Sequence, residues 1–313
     1  MIASIVLSVV GGLVLLGVAA VLILGSGNST FGQARTARSR ADRKALETVA
    51  LGLRAVAEGC AHSTRPLPDV HAVIHSGQRL TLRLAGADES APAPWTADVS
   101  GKEWSVVPTS LRGTDKGGTG ATHPYSLTVT LGLHRGDRVM VDLSRLPGAI
   151  ALTGDDNDVL DLAQAIIREL VSGPVGTLAT VVLVGTAATP SVTDGLGRSS
   201  ARLYTAATRT EALTRGGGKS SGTAPASPAF RTLHMHRDSG TATQRNHARR
   251  LFVVTAAQFR NERWGDSPLR GTDALLVLGY IPDADWHIKV NPDGSLDTGR
   301  VGLPVDTHTA RLS

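Results

Sequence analysis

The sequence predicts an α/β protein: an N-terminal transmembrane helix, a small α+β region, then a domain built on a mainly parallel sheet with flanking hairpins. Three observations predict it. Residues 2–25 run 24 positions without a charged side chain, long enough for a helix to cross a bilayer core. Leu80, Leu82 and Leu84 alternate with polar residues in RLTLRLA, the period-two signature of a half-buried strand. The apolar run GAIALTG is followed by a helical pattern and then by a second apolar run, TLATVVLVGT. Strand, helix and strand in that order make a parallel pair with a right-handed crossover.

The chain of 313 residues has length for an anchor and one or two soluble domains. The expected division is an anchor and linker over 1–31, a small α+β region over 32–116 and an α/β domain over 117–313. A flexible linker is expected near 215–228. The anchor has no positively charged n-region and no clear small-residue cleavage site, so it reads as a retained span rather than a secretory signal. Arg35, Arg38, Arg40, Arg43 and Lys44 follow it, opposed by Asp42. Positive charge on that flank places it on the cytoplasmic side of the cell membrane, with the soluble part in the cytoplasm. An uncleaved signal leading to an outside domain is the rival topology. The same basic run could attract anionic headgroups, although a topology signal suffices to explain it. Ser8 and Gly12 have the small-xxx-small spacing of packed membrane helices.

Past the anchor, a helix is expected over about 41–61. Leu46, Val49, Ala50, Leu53, Val56, Ala57 and Cys60 share one face, and RPLP ends it. VHAVIH and RLTLRLA read as strands. WTADV and WSVVP flank SGKE as a hairpin, and LRGTDKGGTGATHP is a loop. YSLTVTLGL and DRVMVDL flank HRG as a second hairpin. DDNDVLDLAQAIIREL reads as a helix, with Leu160, Ala163, Ile166, Ile167 and Leu170 on one face. Further on, TATQRNHARR reads as helical, LFVVTA and TDALLVLGYI as strands, and WHIKV with DTGRVGLPV as a closing hairpin around NPDGSL.

GGGKSSG, residues 216–222, mimics the centre of a phosphate-binding loop. Such a loop needs a strand before it and a helix after it, because the helix N-terminus supplies amides and dipole. Here a helical pattern, TRTEALT, precedes it and TAPASP follows. The first glycine of GxxxxGK[ST] would fall on Leu213. The stretch reads as linker.

The segment from Leu127 to Leu170 carries a resemblance. It resembles the core of FtsK/SpoIIIE-type ATPases, including the related ATPase of type VII secretion, whose pattern is vGxxxxGxxvxxDLxxxPHxLVxG followed by a phosphate loop and helix. Gly132, Gly136, Asp142, Leu143, Pro147 and Gly154 stand in that order. The resemblance covers about 50 residues directly and implies a P-loop-like domain. It also implies a degenerate one. Counted from Gly154, the loop runs through Asp155, Asp156, Asn157 and Asp158. Its second glycine falls on Val159, its lysine on Leu160 and its Ser/Thr on Asp161. The lysine would reach the β/γ-phosphates and the hydroxyl would hold magnesium, and carboxylates repel a triphosphate. The strand ends that should carry a magnesium-binding acid give Thr186 in one case, and Thr255 with Ala256 in the other. The arrangement is also similar to the membrane-anchored N-terminal part of large actinobacterial proteins with LysM or transcriptional-activator-like modules, neither of which is seen here. The composition, 27 Arg against 5 Lys with many Ala and Gly, resembles that source.

Other chemistry is thin. DDNDVLD could be read as a calcium loop but lacks the EF-hand glycine and terminal glutamate; aspartates at a helix start cap free amides. His234, His236 and His247 could meet at a metal, without a carboxylate or cysteine nearby to complete a set. Cys60 and His62 lie two apart, a spacing that does not face side chains together on a helix. One cysteine excludes an internal disulfide and a cysteine-cluster zinc site. No GxSxG or HExxH occurs. No catalytic residue, metal site or cofactor is expected. Residues 196–270 hold 13 Arg and Lys against 4 Asp and Glu, net +9, above the whole-chain +5, so an acidic partner or nucleic acid is an alternative. The function expected is a membrane-anchored, non-catalytic scaffold or recruitment protein with a pseudo-ATPase-like domain and a cytosolic protein partner. An unconventional ATPase component of a secretion or DNA-translocation assembly, and a nucleic-acid tether, are the alternatives.

Overall fold

The structure, a computed structural model, describes residues 40–113, 124–193, 201–214, 249–266, 269 and 271–312. The chain divides into two units between Ala45 and Leu46, and both of its sheets belong to residues 46–313. Among the described residues no helix is long and apolar enough to cross a membrane. The apolar segment 2–25, with Arg35 and Arg38, lies outside the described residues, while Arg40, Arg43 and Lys44 open the first helix, α1, over residues 40–62.

The fold is mixed α/β with two seven-stranded sheets. The first is wholly antiparallel. β1 (Val70–His75), β2 (Leu80–Leu84), β3 (Thr96–Ala97) and β4 (Glu103–Val106) are joined by β5 (Thr128–His134), β6 (Asp137–Asp142) and β14 (Thr307–His308), in the order β14-β5-β6-β1-β2-β4-β3. One sheet therefore draws strands from both sides of residues 116/117, where the composition suggested a boundary. The β5–β6 turn uses Arg135 and Gly136 at φ 52° and 88°, the two positive values that a tight hairpin turn needs to match strand twist.

The second sheet contains β7 (Ala149–Thr153), β8 (Ala179–Val184), β9 (Leu203–Ala206), β10 (Arg249–Thr255), β11 (Ala274–Leu278), β12 (Trp286–Val290) and β13 (Leu296–Asp297). Its order is β13-β12-β7-β11-β10-β8-β9, and every pairing is parallel except β12 with β13. The helices are α2 (Asp156–Ser172), α3 (Pro190–Thr193), α4 (Arg209–Thr214) and α5 (Ala256–Asn261).

Three cores stack these layers. Val49, Leu53, Val56 and Cys60 of α1 bury against Val73, Leu80, Leu82, Trp104 and Met140 on one face of the first sheet. Leu127, Val129, Leu131, Val139 and Val141 on its other face share a core with α2 and with Ile150, Leu152, Val181, Leu183 and Val253 of the second. The far face of the second sheet, through Val182, Phe252, Val254 and Val277, packs on Trp264 and the α4–α5 side. Large apolar side chains buried this fully each contribute about 2 kcal/mol. Tertiary burial therefore outweighs local propensity in fixing α2, which hides Val159, Leu162, Ile166, Ile167 and Leu170.

Two expectations are corrected. Arg249 and Arg250, expected within a helix, begin β10. That strand is paired on both sides, by β8 and β11, and the two guanidiniums are buried beside carboxylates, so the sheet decides the conformation; residues 241–248 lie outside the described residues. The closing hairpin is the second correction. Its return strand shrinks to Leu296–Asp297, a turn at Gly299–Val301 ends on Gly302 at φ 68°, and the chain crosses to the first sheet as β14. β9, which no periodicity announced, forms the parallel edge beside β8.

Candidate functional site

In an open parallel sheet, ligands bind outside the carboxyl ends of strands, where successive connections run to opposite sides. Here the crossover through α2 carries the chain from β7 towards β8, and the chain from β11 passes β7 to reach β12. The carboxyl end of β7 is therefore the candidate site, and Gly154 to Asp161 occupy it.

Each residue there has a structural task. Gly154 holds φ 139°, and a Cβ on it would lie 2.6 Å from the Val290 carbonyl oxygen at the end of β12. Asp155 is the N-cap of α2 and accepts from the Asn157 amide at 3.0 Å. Asp156 and Asp158 sit in the first turn, where negative charge complements the helix dipole. Val159 is buried in the central core, and Leu160, where a lysine would stand, packs against it. Asp161 is exposed. Arg311, from the turn after β14, reaches Asp158 at 3.7 Å and donates to the Pro292 carbonyl at 3.1 Å. His308 is 1 % exposed, and neither of its ring nitrogens has a hydrogen-bond partner. Burial, then Arg311, pushes its pKa down, and Asp158 and Asp161 pull against that shift.

Threonines stand just after β8 and at the end of β10. Thr186 after β8 and Thr255 at the end of β10 meet through their hydroxyls at 3.1 Å. Thr255 also caps α5, accepting from Gln258 N at 3.3 Å. Glu262 is committed elsewhere: it accepts from Gln258 Nε2 at 2.7 Å and from the Arg209 amide. The edge thus joins a capped helix, two hydroxyls and an Arg–Asp contact. None of the loop positions from Gly154 to Asp161 is a lysine.

The motif residues that carried the resemblance also take structural roles. Asp142 caps the turn leading to β7, accepting from the Ser144 amide at 3.0 Å and hydroxyl at 2.7 Å. It lies 3.9 Å from Arg249, and Leu143 is buried. Gly132 lies at an irregularity in β5 and backs directly onto Thr307 of β14.

Other expected candidates separate. Cys60 is buried, which raises its thiol pKa, whereas His62 is exposed. GGGKSSG, His234, His236 and His247 lie outside the described residues. Among the described residues no cluster of three His, Cys, Asp or Glu could hold a metal, which includes the DDNDVLD turn. The basic excess of 196–270 is partly internal. Arg249 and Arg250 pair with Asp142 and Asp273. Arg202 donates to the Gly176 and Val171 carbonyls, and Arg209 lies over the Trp264 ring. Arg260 and Arg263 are exposed.

A cavity of about 610 Å³ opens at the opposite, amino-terminal edge of the parallel sheet. Asp273 in its wall holds Arg250 at 2.7 Å and Asp285 holds the Ala149 amide at 2.9 Å. Its described lining has no His, Cys or Lys. Sequence reasoning missed His308 and Arg311, because a two-residue strand and a short turn leave no periodic signal. No protein-family model, curated protein or solved structure matches the chain.

Proposed function

We propose that this chain is a membrane-anchored, non-catalytic scaffold that holds a cytosolic protein partner at the cell membrane. Its α/β domain is a degenerate relative of the P-loop domain of FtsK/SpoIIIE-type ATPases, with no nucleotide as cofactor. One observation supports the reading: β7, a glycine turn and α2 follow one another as strand, loop and helix, and the loop positions serve packing and capping. Val159 is core, Leu160 lies against the core, and Asp158 faces Arg311. A phosphate loop needs backbone amides open to the ligand and a cation above them; here aspartates and residues 307–312 take that place. The charge-free segment 2–25 and the basic flank Arg35 to Lys44 support anchoring with a cytoplasmic domain.

Crosslinking of the full chain in intact membranes, followed by purification in detergent, tests recruitment. A reproducible cytosolic partner in stoichiometric yield is expected, and its retention in high salt would separate protein docking from a nucleic-acid tether. Recovery of the chain alone, or of nucleic acid released by salt, would contradict recruitment of a protein.

A further inference from the structure

Residues 306–312 bridge the two sheets through few bonds. Asp306 N donates to Leu133 O at 2.8 Å, and Thr307 and His308 pair with Leu133 and Gly132 of β5. On the other side His308 N donates to Gly294 O at 2.9 Å, and Arg311 reaches Pro292 and Asp158. The Asp306 carboxylate accepts from the Arg135 amide at 2.8 Å and lies 3.0 Å from His134 Nδ1. A two-residue strand opens locally at far lower cost than a core strand. At its centre lies an imidazole that is 1 % exposed, with neither nitrogen bonded. A neutral ring pays a smaller penalty in that environment than a charged one, which has two N–H donors and no acceptor for either.

We propose that residues 306–312 form a detachable clasp between the two sheets, held shut by uncharged His308 and opened by its protonation. The charged groups facing His308 are Asp158 and Asp161 on α2, and Arg311 on its own turn. From β5, His134 is engaged with Asp306. From the loop after β12, Asp293 is bound by Ser295 and senses Arg311. Burial and Arg311 outweigh the two aspartates, so the closed form disfavours the proton. A group whose pKa is lowered in the closed form leaves the clasp fully shut above the ordinary histidine value, and closure weakens as pH falls below it. Opening would uncover the edge of β5, on which a second strand could pair, and the first turns of α2.

Hydrogen exchange on the full chain in detergent tests this. The amides of Asp306 and His308 are followed at pH 7.5 and 5.5, with intrinsic rates corrected. The lower pH lies about one unit below the ordinary histidine value, which bounds the loss of protection at about tenfold for one group. Wild-type protection is expected to fall by several-fold up to that bound. His308→Gln is expected to be flat, and His75→Gln to keep the fall. Unchanged wild-type protection, or an equal fall in His308→Gln, would overturn the proposal. If His308→Gln is open at both pH values, NMR titration of the wild-type imidazole decides: a pKa below the ordinary 6.5 supports the clasp, and a value at or above it refutes it.

Discussion

Arg250 and Asp273 stand 2.7 Å apart with side chains 5 % and 2 % exposed. Arg250 also donates to the Leu213 carbonyl at 2.8 Å and lies 4.9 Å over the Phe252 ring. A pair this deeply buried contributes little relative to a well-packed apolar pair, yet losing one member leaves a charge stranded at about 3–5 kcal/mol. Asp273→Ala is therefore expected to lower the unfolding free energy by that amount, read as a lower urea midpoint. Arg250→Met with Asp273→Leu should cost less than the single change; a double variant less stable than the single one would contradict this. Little of it was legible from residues alone. Arg249 and Arg250 read as part of a polar, charged helix because sequence shows a charge but not the acid that awaits it 23 residues on. The burial of Val159 and the packing of Leu160 against the core were legible, because both are apolar positions of a helix with one apolar face.

At the scale of elements, α2 is held by its cap and by what its exposed flank does for the neighbouring sheet. Asp155→Ala removes the bond to the Asn157 amide and is expected to cost about 1 kcal/mol, read as a lower midpoint with unchanged denaturant slope. Near the other end, Glu169 Oε1 accepts from the Thr130 amide at 3.0 Å and hydroxyl at 3.1 Å. A helix side chain thereby satisfies part of the β5 edge that the short β14 leaves uncovered. Glu169→Ala should cost about 1–3 kcal/mol by stranding a buried donor, with faster exchange at Thr130; an unchanged Thr130 rate would show that another group seals the edge. The long elements were legible because α1 and α2 repeat at helical spacing, β2 alternates and β7 is an apolar run bounded by turns. β9, β13 and β14 were not. Strands of two to four residues carry too few positions for a period, and their existence depends on partners more than a hundred residues away in the case of β14 and β5.

Across residues 46–313, two sheets share one core around α2, with the helix over 46–62 and the α4–α5 side packed on the outer faces. The molecule's pH response follows from one buried and one half-buried histidine. Burial lowers the pKa of both His75 and His308, so their contributions to stability are complete above the ordinary value of 6.5 and decline as pH falls below it. Asp98, Asp293 and Asp306 are lowered mainly by hydrogen bonds, and what they contribute persists above the ordinary carboxylate range and is lost on further acidification. Thermal midpoints should be flat from about pH 7 to 8 and decline below about 6.5; a midpoint that rises on acidification to pH 5.5 would contradict these assignments. Fold class was legible from strand–helix–strand order, but the merging of both soluble regions into one antiparallel sheet was not, since nothing local tells β14 to cross from one sheet to the other.

The central claim is a phosphate-loop architecture without nucleotide chemistry, and calorimetric titration of the full chain in detergent with ATP and magnesium tests it most directly. No heat is expected up to millimolar nucleotide, with the protein shown to be folded by its cooperative melt. Saturable binding in the micromolar range would contradict the claim and require a cation other than the missing lysine to meet the phosphates.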